Sequence, residues 1–118
     1  MLTLLPWLSA TLLNTESSMG VDLQKDPTFF DRADKFIVLA NEHCSEVGRG
    51  KVSASFLYGC ARFQAWNAAC WAADAASMKE KKEETVKYFV EQYQAMLEEN
   101  LTDYIEHYGK YMQAKDDA

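Results

Sequence analysis

The stretch from residue 53 to residue 77, SASFLYGCARFQAWNAACWAADAAS, is apolar on every side of a helix. A helix that is apolar all round belongs in the interior of a protein. At about 100° per residue, its bulky side carries Leu57, Cys60, Phe63, Trp66, Cys70 and Trp71, and its small side carries Ala61, Ala65, Ala68, Ala69, Ala72, Ala73 and Ala76. The sequence therefore predicts a fully buried central helix.

Two amphipathic helices flank this stretch. The first begins at Asp26-Pro27, a capping acid followed by proline, and runs to about Val47. The third follows the charged run 79–84 and continues to about Tyr111. Their apolar residues recur every three or four positions: Phe29, Phe30, Ala33, Phe36, Ile37, Ala40, Cys44 and Val47, then Val86, Phe89, Val90, Tyr93, Leu97, Leu101, Tyr104, Ile105, Tyr108 and Tyr111. Because the linker 48–51 is short, we expect an all-α, three-helix antiparallel bundle.

The chain of 118 residues has room for a single domain. We place the helical domain at 26–112, a frayed tail at 113–118 and an N-terminal arm at 1–25. The arm opens with apolar residues but has no Lys or Arg, so it lacks the positive start of a secretory signal. The favoured interpretation is translated upstream sequence, with Met19 as the native start. An exported leader and an arm that packs on a partner chain are the alternatives.

The central helix needs more cover than two neighbouring helices supply. Apolar surface in water is unfavourable by about 25 cal/mol per Å². A symmetric homo-oligomer would bury the second side, and a dimer is the commonest such assembly, although a tetramer would also close the surface. We therefore expect a homo-oligomer, with a dimer favoured.

Charge and cysteine content bound the partners and the compartment. The net charge of −6 argues against nucleic acid and acidic lipid surfaces. The three cysteines, Cys44, Cys60 and Cys70, include no CxxC pair, which is typical of reduced packing residues. The sequence contains no run of 18 apolar residues, so it predicts no membrane span. These features indicate a soluble cytoplasmic protein.

Arg62 is the first candidate for a functional residue, because a buried guanidinium needs a partner. Asp34 or Glu98 could supply a structural ion pair, and an anionic ligand is the alternative. A ligand site between the helices would also use three neighbouring candidates, Tyr58, Asn67 and Tyr104, although aromatic residues at helical spacing belong more often to a core.

A second candidate is the turn that leads into the central helix. Arg49, Lys51 and Ser53 could hold an anion at the helix N-terminus, with Ser53 as the expected N-cap. The turn lacks the GxxxxGK[ST] spacing of a phosphate-binding loop, so an ordinary helix turn is the simpler interpretation.

Metal chemistry is poorly supported. A di-iron bundle needs an acid three residues before each histidine. That position is occupied by Ala40 for His43 and by Tyr104 for His107. Cys44 and His43 are adjacent on a helix and do not face each other. We therefore predict no metal, no cofactor and no catalytic residue.

Three segments carry a resemblance to a known family: 29–41 (FFDRADKFIVLAN), 50–58 (GKVSASFLY) and 88–101, with YFVEQY and MLEENL. They resemble a bacterial family called domain of unknown function 3144, over about Asp26 to Tyr111. The resemblance implies a small all-helical protein and no known activity. It leaves residues 1–18 outside the shared region.

These features favour a self-associating interaction or structural module without catalytic activity. The alternative is a small-ligand-binding protein or enzyme with a site between the helices around Arg62.

Overall fold

The computed structural model describes residues 26–116, and their side chains as far as residue 113. The described part is helical throughout, in five helices: α1 (Phe29–Val47), α2 (Arg49–Trp71), α3 (Ala75–Glu80), α4 (Lys82–Glu106) and α5 (Tyr108–Asp116). The prediction of an all-α protein with three main helices is confirmed, since α1, α2 and α4 correspond to the three predicted segments. The N-terminal arm at 1–25 and the last two residues of the tail lie outside the described residues.

The start of α1 is held by a small polar cluster. Asp26 forms an ion pair with Arg32, one turn and a half further on, and Thr28 donates to Asp26 Oδ1 at 3.3 Å. The hydrogen bond from the Arg32 guanidinium holds the pKa of the Asp26 carboxyl below its ordinary value. The backbone N–H of Phe29 also donates to the Asp26 carbonyl at 3.2 Å. Helix α1 begins at Phe29, so the prediction of Pro27 as its first residue is wrong by two positions, and residues 27 and 28 form a turn.

A single glycine separates α1 from α2. Gly48 has φ +91° and ψ 159°, a conformation that is essentially restricted to glycine. The second helix then begins at Arg49, earlier than expected. Ser53 is therefore not the N-cap that the sequence predicted, because it is the fifth residue of α2 and Gly48 occupies the capping position.

The remaining breaks are also short. Ala72 is extended at the end of α2, and the Asp74 side chain accepts a hydrogen bond from the Ser77 N–H at 2.8 Å to begin α3. Lys81 separates α3 from α4, and His107 separates α4 from α5. The predicted helix 53–77 is thus two helices, α2 and α3, which pack against each other.

The prediction of a fully buried central helix is wrong for the single chain. Among the described residues only Val52 is buried, whereas Phe63, Trp66 and Trp71 on α2 are 60 to 66% exposed. The physical reason is that helical periodicity identifies an apolar face without supplying the element that covers it. None of the described helices is long and apolar enough to cross a membrane.

The flanking helices differ from each other. On α1, Phe36 and Val47 of the predicted stripe are exposed. The other six residues of the stripe are half-buried: Phe29, Phe30, Ala33, Ile37, Ala40 and Cys44. On α4 and α5 the predicted inner stripe is mostly exposed: Val86, Val90, Tyr93, Leu97, Leu101, Ile105 and Tyr108.

The chain divides into two compact units. One is Glu42–Tyr93, and the other comprises, of the described residues, 26–41 and 94–116. The antiparallel arrangement and the homo-oligomer stay predictions.

Candidate functional site

A groove of about 220 Å³ lies between α2 and α3, within the unit Glu42–Tyr93. It is lined by Arg62, Ala65, Trp66 and Ala69 of α2 and by Met78 of α3. The four α2 residues are at positions 62, 65, 66 and 69, and these intervals of three and four residues place them on one side of the helix. The two alanines form a low floor between the larger side chains.

Helix α3 supplies the second wall of this groove because Asp74 caps it. The hydrogen bond from the Ser77 N–H, which holds the pKa of the Asp74 carboxyl below its ordinary value, satisfies one of the free donors of the first turn. The extended backbone at Ala72 turns the chain between the two helices. A cap and a two-residue bend thus place Met78 beside α2.

Arg62 is exposed, and its guanidinium makes no hydrogen bond or ion pair with the described residues. The predicted ion pair of a buried Arg62 is therefore wrong for the single chain. Glu98, one of its two expected partners, accepts a hydrogen bond from Gln94 Nε2 at 3.0 Å. Because the guanidinium is in water, it needs no partner within the chain.

The other predicted ligand-site residues do not line the groove with Arg62. Tyr58 is 69% exposed and lies one turn before Arg62 on α2. Asn67 is half-buried and lies about 140° around the helix from Arg62, whereas Tyr104 belongs to the other compact unit. The sequence did identify Arg62, and Trp66 at i+4 was within reach of the same pattern. Met78 depends on the bend after α2, which the helical pattern of residues 53–77 does not indicate.

The predicted anion-binding residues lie at the start of α2. Arg49 and Lys51 are in its first turn, and Ser53 is beyond the four N–H groups that a helix leaves free. All three side chains are exposed. The anion site stays a prediction, without the backbone contribution expected of Ser53.

A polar cluster outside the predicted sites lies on α4 and α5. His107 Nδ1 is 3.1 Å from both the Asp103 carbonyl oxygen and Asp103 Oδ1, and Tyr111 Oη donates to Asp103 Oδ2 at 2.7 Å. A carbonyl oxygen can only accept, so Nδ1 carries the proton and Nε2 holds the lone pair in the neutral ring. The spacing 103, 107, 111 places the three residues on one side of a helix, which was the signal available in the sequence.

Two tyrosine rings pack together beside this cluster. The ring centroids of Tyr104 and Tyr111 are 4.4 Å apart, at an interplanar angle of 50°. Partial burial and the nearby Asp103 carboxylate raise the pKa of both phenols. The cluster bridges the break at His107, so joining α5 to α4 is sufficient to explain it. No group of three or more metal-binding side chains is assembled within residues 26–116.

The fold and these surfaces define a small all-helical protein without a recognisable catalytic centre in its described part. Comparison of the sequence with family models assigns residues 29–105 to the family described as Protein of unknown function (DUF3144). The chain belongs to this family, which confirms the resemblance. The matched region contains Arg62 and the whole groove, and it ends before His107 and Tyr111.

One similar solved structure is described as the NMR structure of the protein NB7890A from Shewanella sp. It is 34% identical in sequence, with a TM-score of 0.63, and the match covers 77% of this chain and 97% of that chain. No curated protein matches the chain.

Proposed function

We propose that the chain is a self-associating helical module that uses its exposed apolar surfaces as interfaces and has no catalytic role. The observation that carries this proposal is the exposure of large apolar side chains. Eighteen of them in the described part of the chain are between 36 and 73% exposed. Single exposed apolar residues are ordinary on a monomer, but contiguous surfaces of this extent are typical of interaction sites.

The surface of α2 alone is large enough to matter. Its five exposed aromatic side chains are Phe56, Tyr58, Phe63, Trp66 and Trp71, each between 42 and 69% exposed. Because a whole aromatic side chain offers about 150 to 250 Å², these five present roughly 450 to 750 Å² of accessible surface. Tyr58 and Trp71 are about 140° apart around α2, so this area, close to the roughly 800 Å² that each partner buries in an interface of standard size, faces more than one neighbour.

Helix α4 and the start of α5 add a second surface of the same kind. Seven exposed apolar residues follow one another at intervals of three or four positions: Val86, Val90, Tyr93, Leu97, Leu101, Ile105 and Tyr108. Ile105 is 73% exposed, the highest value among them. A continuous stripe on an otherwise acidic helix is the pattern of a helix that packs against another helix.

The test is the mass of the protein in solution, measured by native mass spectrometry and by light scattering after size exclusion. We expect a multiple of the 13.4 kDa chain mass at micromolar concentration, with no additional bound mass. A monomer across the accessible concentration range would contradict the proposal.

A second candidate function is the binding of a small anionic ligand in the groove. The observation that favours it is the unpaired Arg62 guanidinium beside Trp66 and Met78, since a cation and an apolar wall together suit an aromatic carboxylate. A stoichiometric extra mass that disappears in the Arg62→Met variant, while the helical circular dichroism signal is retained, would support this function. Its absence from both proteins would remove it.

A further inference from the structure

We infer that the Arg62 side of α2 receives helix α4 from a second copy of the chain, and that Arg62 pairs there with an acidic row on that helix. The inference rests on the proposed self-association and adds to it which two surfaces meet. It treats the groove as a protein contact rather than a small-molecule site.

The distribution of charge disfavours the simplest alternative, in which the Arg62 side of α2 packs on α2 of the other copy. The charged side chains of α2 are all basic: Arg49, Lys51 and Arg62. Two such helices in contact would bring like charges together with no acid to compensate, which is unfavourable. Helix α4 has the opposite character, because it carries seven acids and two lysines.

Three of these acids form the acidic row: Glu84, Glu91 and Glu98. They recur every seven residues, so they lie on one side of α4, and all three are exposed. At about 100° per residue the row borders the exposed apolar stripe that contains Val90 and Leu97. Apolar residues flanked by a line of charge are what paired helices present to each other, the charge setting partner and orientation.

The shape of the two surfaces is also complementary. On α2, Ala65 and Ala69 form the floor of the groove, with Trp66 and Met78 as its walls. The exposed stripe of α4 consists of larger side chains, among them Leu97, 43% exposed. Small residues on one helix let the large residues of another approach closely. Arg62 stands at the edge of this floor, where its planar guanidinium can donate two parallel hydrogen bonds to a carboxylate.

In a dimer with two-fold symmetry this contact is made twice, because each copy offers both α2 and α4. Each copy therefore buries its Arg62 side and its α4 stripe, so the buried area is twice that of a single contact. The apolar contacts supply most of the affinity, and the Arg62 pair selects α4 over α2 as the partner surface.

The test is a charge exchange between two variants, one with Arg62→Glu and one with Glu84, Glu91 and Glu98 all changed to Lys. Each variant alone places like charges at both contacts, so we expect its dimer dissociation constant to rise at least about tenfold. Mixed together, the two variants have opposite charges at both contacts. We therefore expect the mixture to form a heterodimer at least about as tight as the native dimer.

Two controls separate this effect from a change in net charge. The first control, Arg49→Glu, makes the same change on α2 but about 140° away from Arg62. The second control changes three acids on the exposed side of α1, Asp31, Glu42 and Glu46, to Lys. Both controls should dimerise like the native chain. Circular dichroism verifies that each variant is helical, and Arg62→Gln provides a milder variant that should weaken the dimer without repulsion.

The outcomes distinguish the inference from the proposed function. A native chain that is monomeric at all concentrations overturns both. A native dimer that is unaffected by Arg62→Glu, or an Arg62→Glu chain that pairs more tightly with the native chain than with the triple variant, overturns the inference and leaves self-association standing. Recovery only in the exchanged mixture supports it.

Discussion

Tyr111 Oη donates a hydrogen bond of 2.7 Å to Asp103 Oδ2 across the break between α4 and α5. Two backbone bonds run through the same break, from the His107 N–H to the Asp103 carbonyl at 3.0 Å and from the Tyr111 N–H to the His107 carbonyl at 3.1 Å. The side-chain bond therefore reinforces a helical path that is interrupted at a single residue. Asp103 joins the last helix to the one before it.

This relationship predicts how stability depends on pH at the alkaline end. The pKa of the Tyr111 phenol is raised by partial burial and by its hydrogen bond to Asp103. The folded state therefore keeps a proton that the unfolded state loses at about pH 10. The stabilising contribution is complete below about pH 10 and decreases as the pH rises from there toward the pKa in the folded state.

The measurement is the free energy of unfolding of the native chain and of Tyr111→Phe between pH 7 and pH 11. At neutral pH we expect the variant to be about 1 kcal/mol less stable, because it keeps the ring beside Tyr104 and loses only the hydrogen bond. The difference should shrink above about pH 10. A difference that grows with pH would show that the sign is wrong.

A side chain at Gly48 is predicted to destabilise the fold through the backbone, although there is space for the side chain itself. A methyl group built on Gly48 would meet nothing within 4 Å, so the entire cost comes from the backbone at φ +91°. We expect Gly48→Ala to lower the free energy of unfolding by about 1 to 3 kcal/mol. Chemical denaturation measures this change.

Gly50, two residues later in the first turn of α2, is the matched control. Its added methyl group also meets nothing within 4 Å, but its backbone is helical. Gly50→Ala should therefore raise the free energy of unfolding by about 0.5 to 1 kcal/mol. Equal effects of the two substitutions would contradict the role given to Gly48.

The alanine floor of the groove is predicted to be a site where bulk prevents self-association. Ala69 is exposed in the single chain, so Ala69→Trp should leave the monomer folded. In the proposed assembly the indole would occupy the space that the second copy needs. We expect the oligomer to dissociate to a mass of one chain in light scattering at a concentration where the native chain associates.

Ser45→Trp is the control for this substitution. Ser45 is exposed on α1, on the side away from the half-buried stripe of that helix, so the same bulk there should leave the oligomer intact. If both variants dissociate, the added indole acts nonspecifically. If neither does, the groove is not part of the interface.

Part of the site could be predicted from the sequence, and part could not. Arg62 stood out because a lone cation in an apolar stretch is unusual. Its exposure was not predictable, since the pattern of a helix states which residues share a side and not what lies against that side. Met78 joined the groove only through the bend at Ala72 and the cap at Asp74.

Helix α4 illustrates the same division. Its pattern correctly predicted a helix with an apolar stripe, yet the stripe is only partly covered. Phe89 and Tyr104 are half-buried, together with polar residues such as Gln92 and Glu99, whereas Val90 and Leu97 are exposed. Because this apolar stripe is exposed in the single chain, it is available for contact with a partner. The stripe that looked like a core is, in the single chain, a surface.

The sequence by itself determined the helices and the main break between α1 and α2, because caps, glycine conformations and helical spacing act over a few residues. It therefore placed the start of α1 within two residues of Phe29 and the break at Gly48. Only the tertiary structure decided which apolar sides stay exposed and that Arg62 has no partner within the described chain. Those features depend on which surfaces the chain brings together, and a one-dimensional pattern does not specify them.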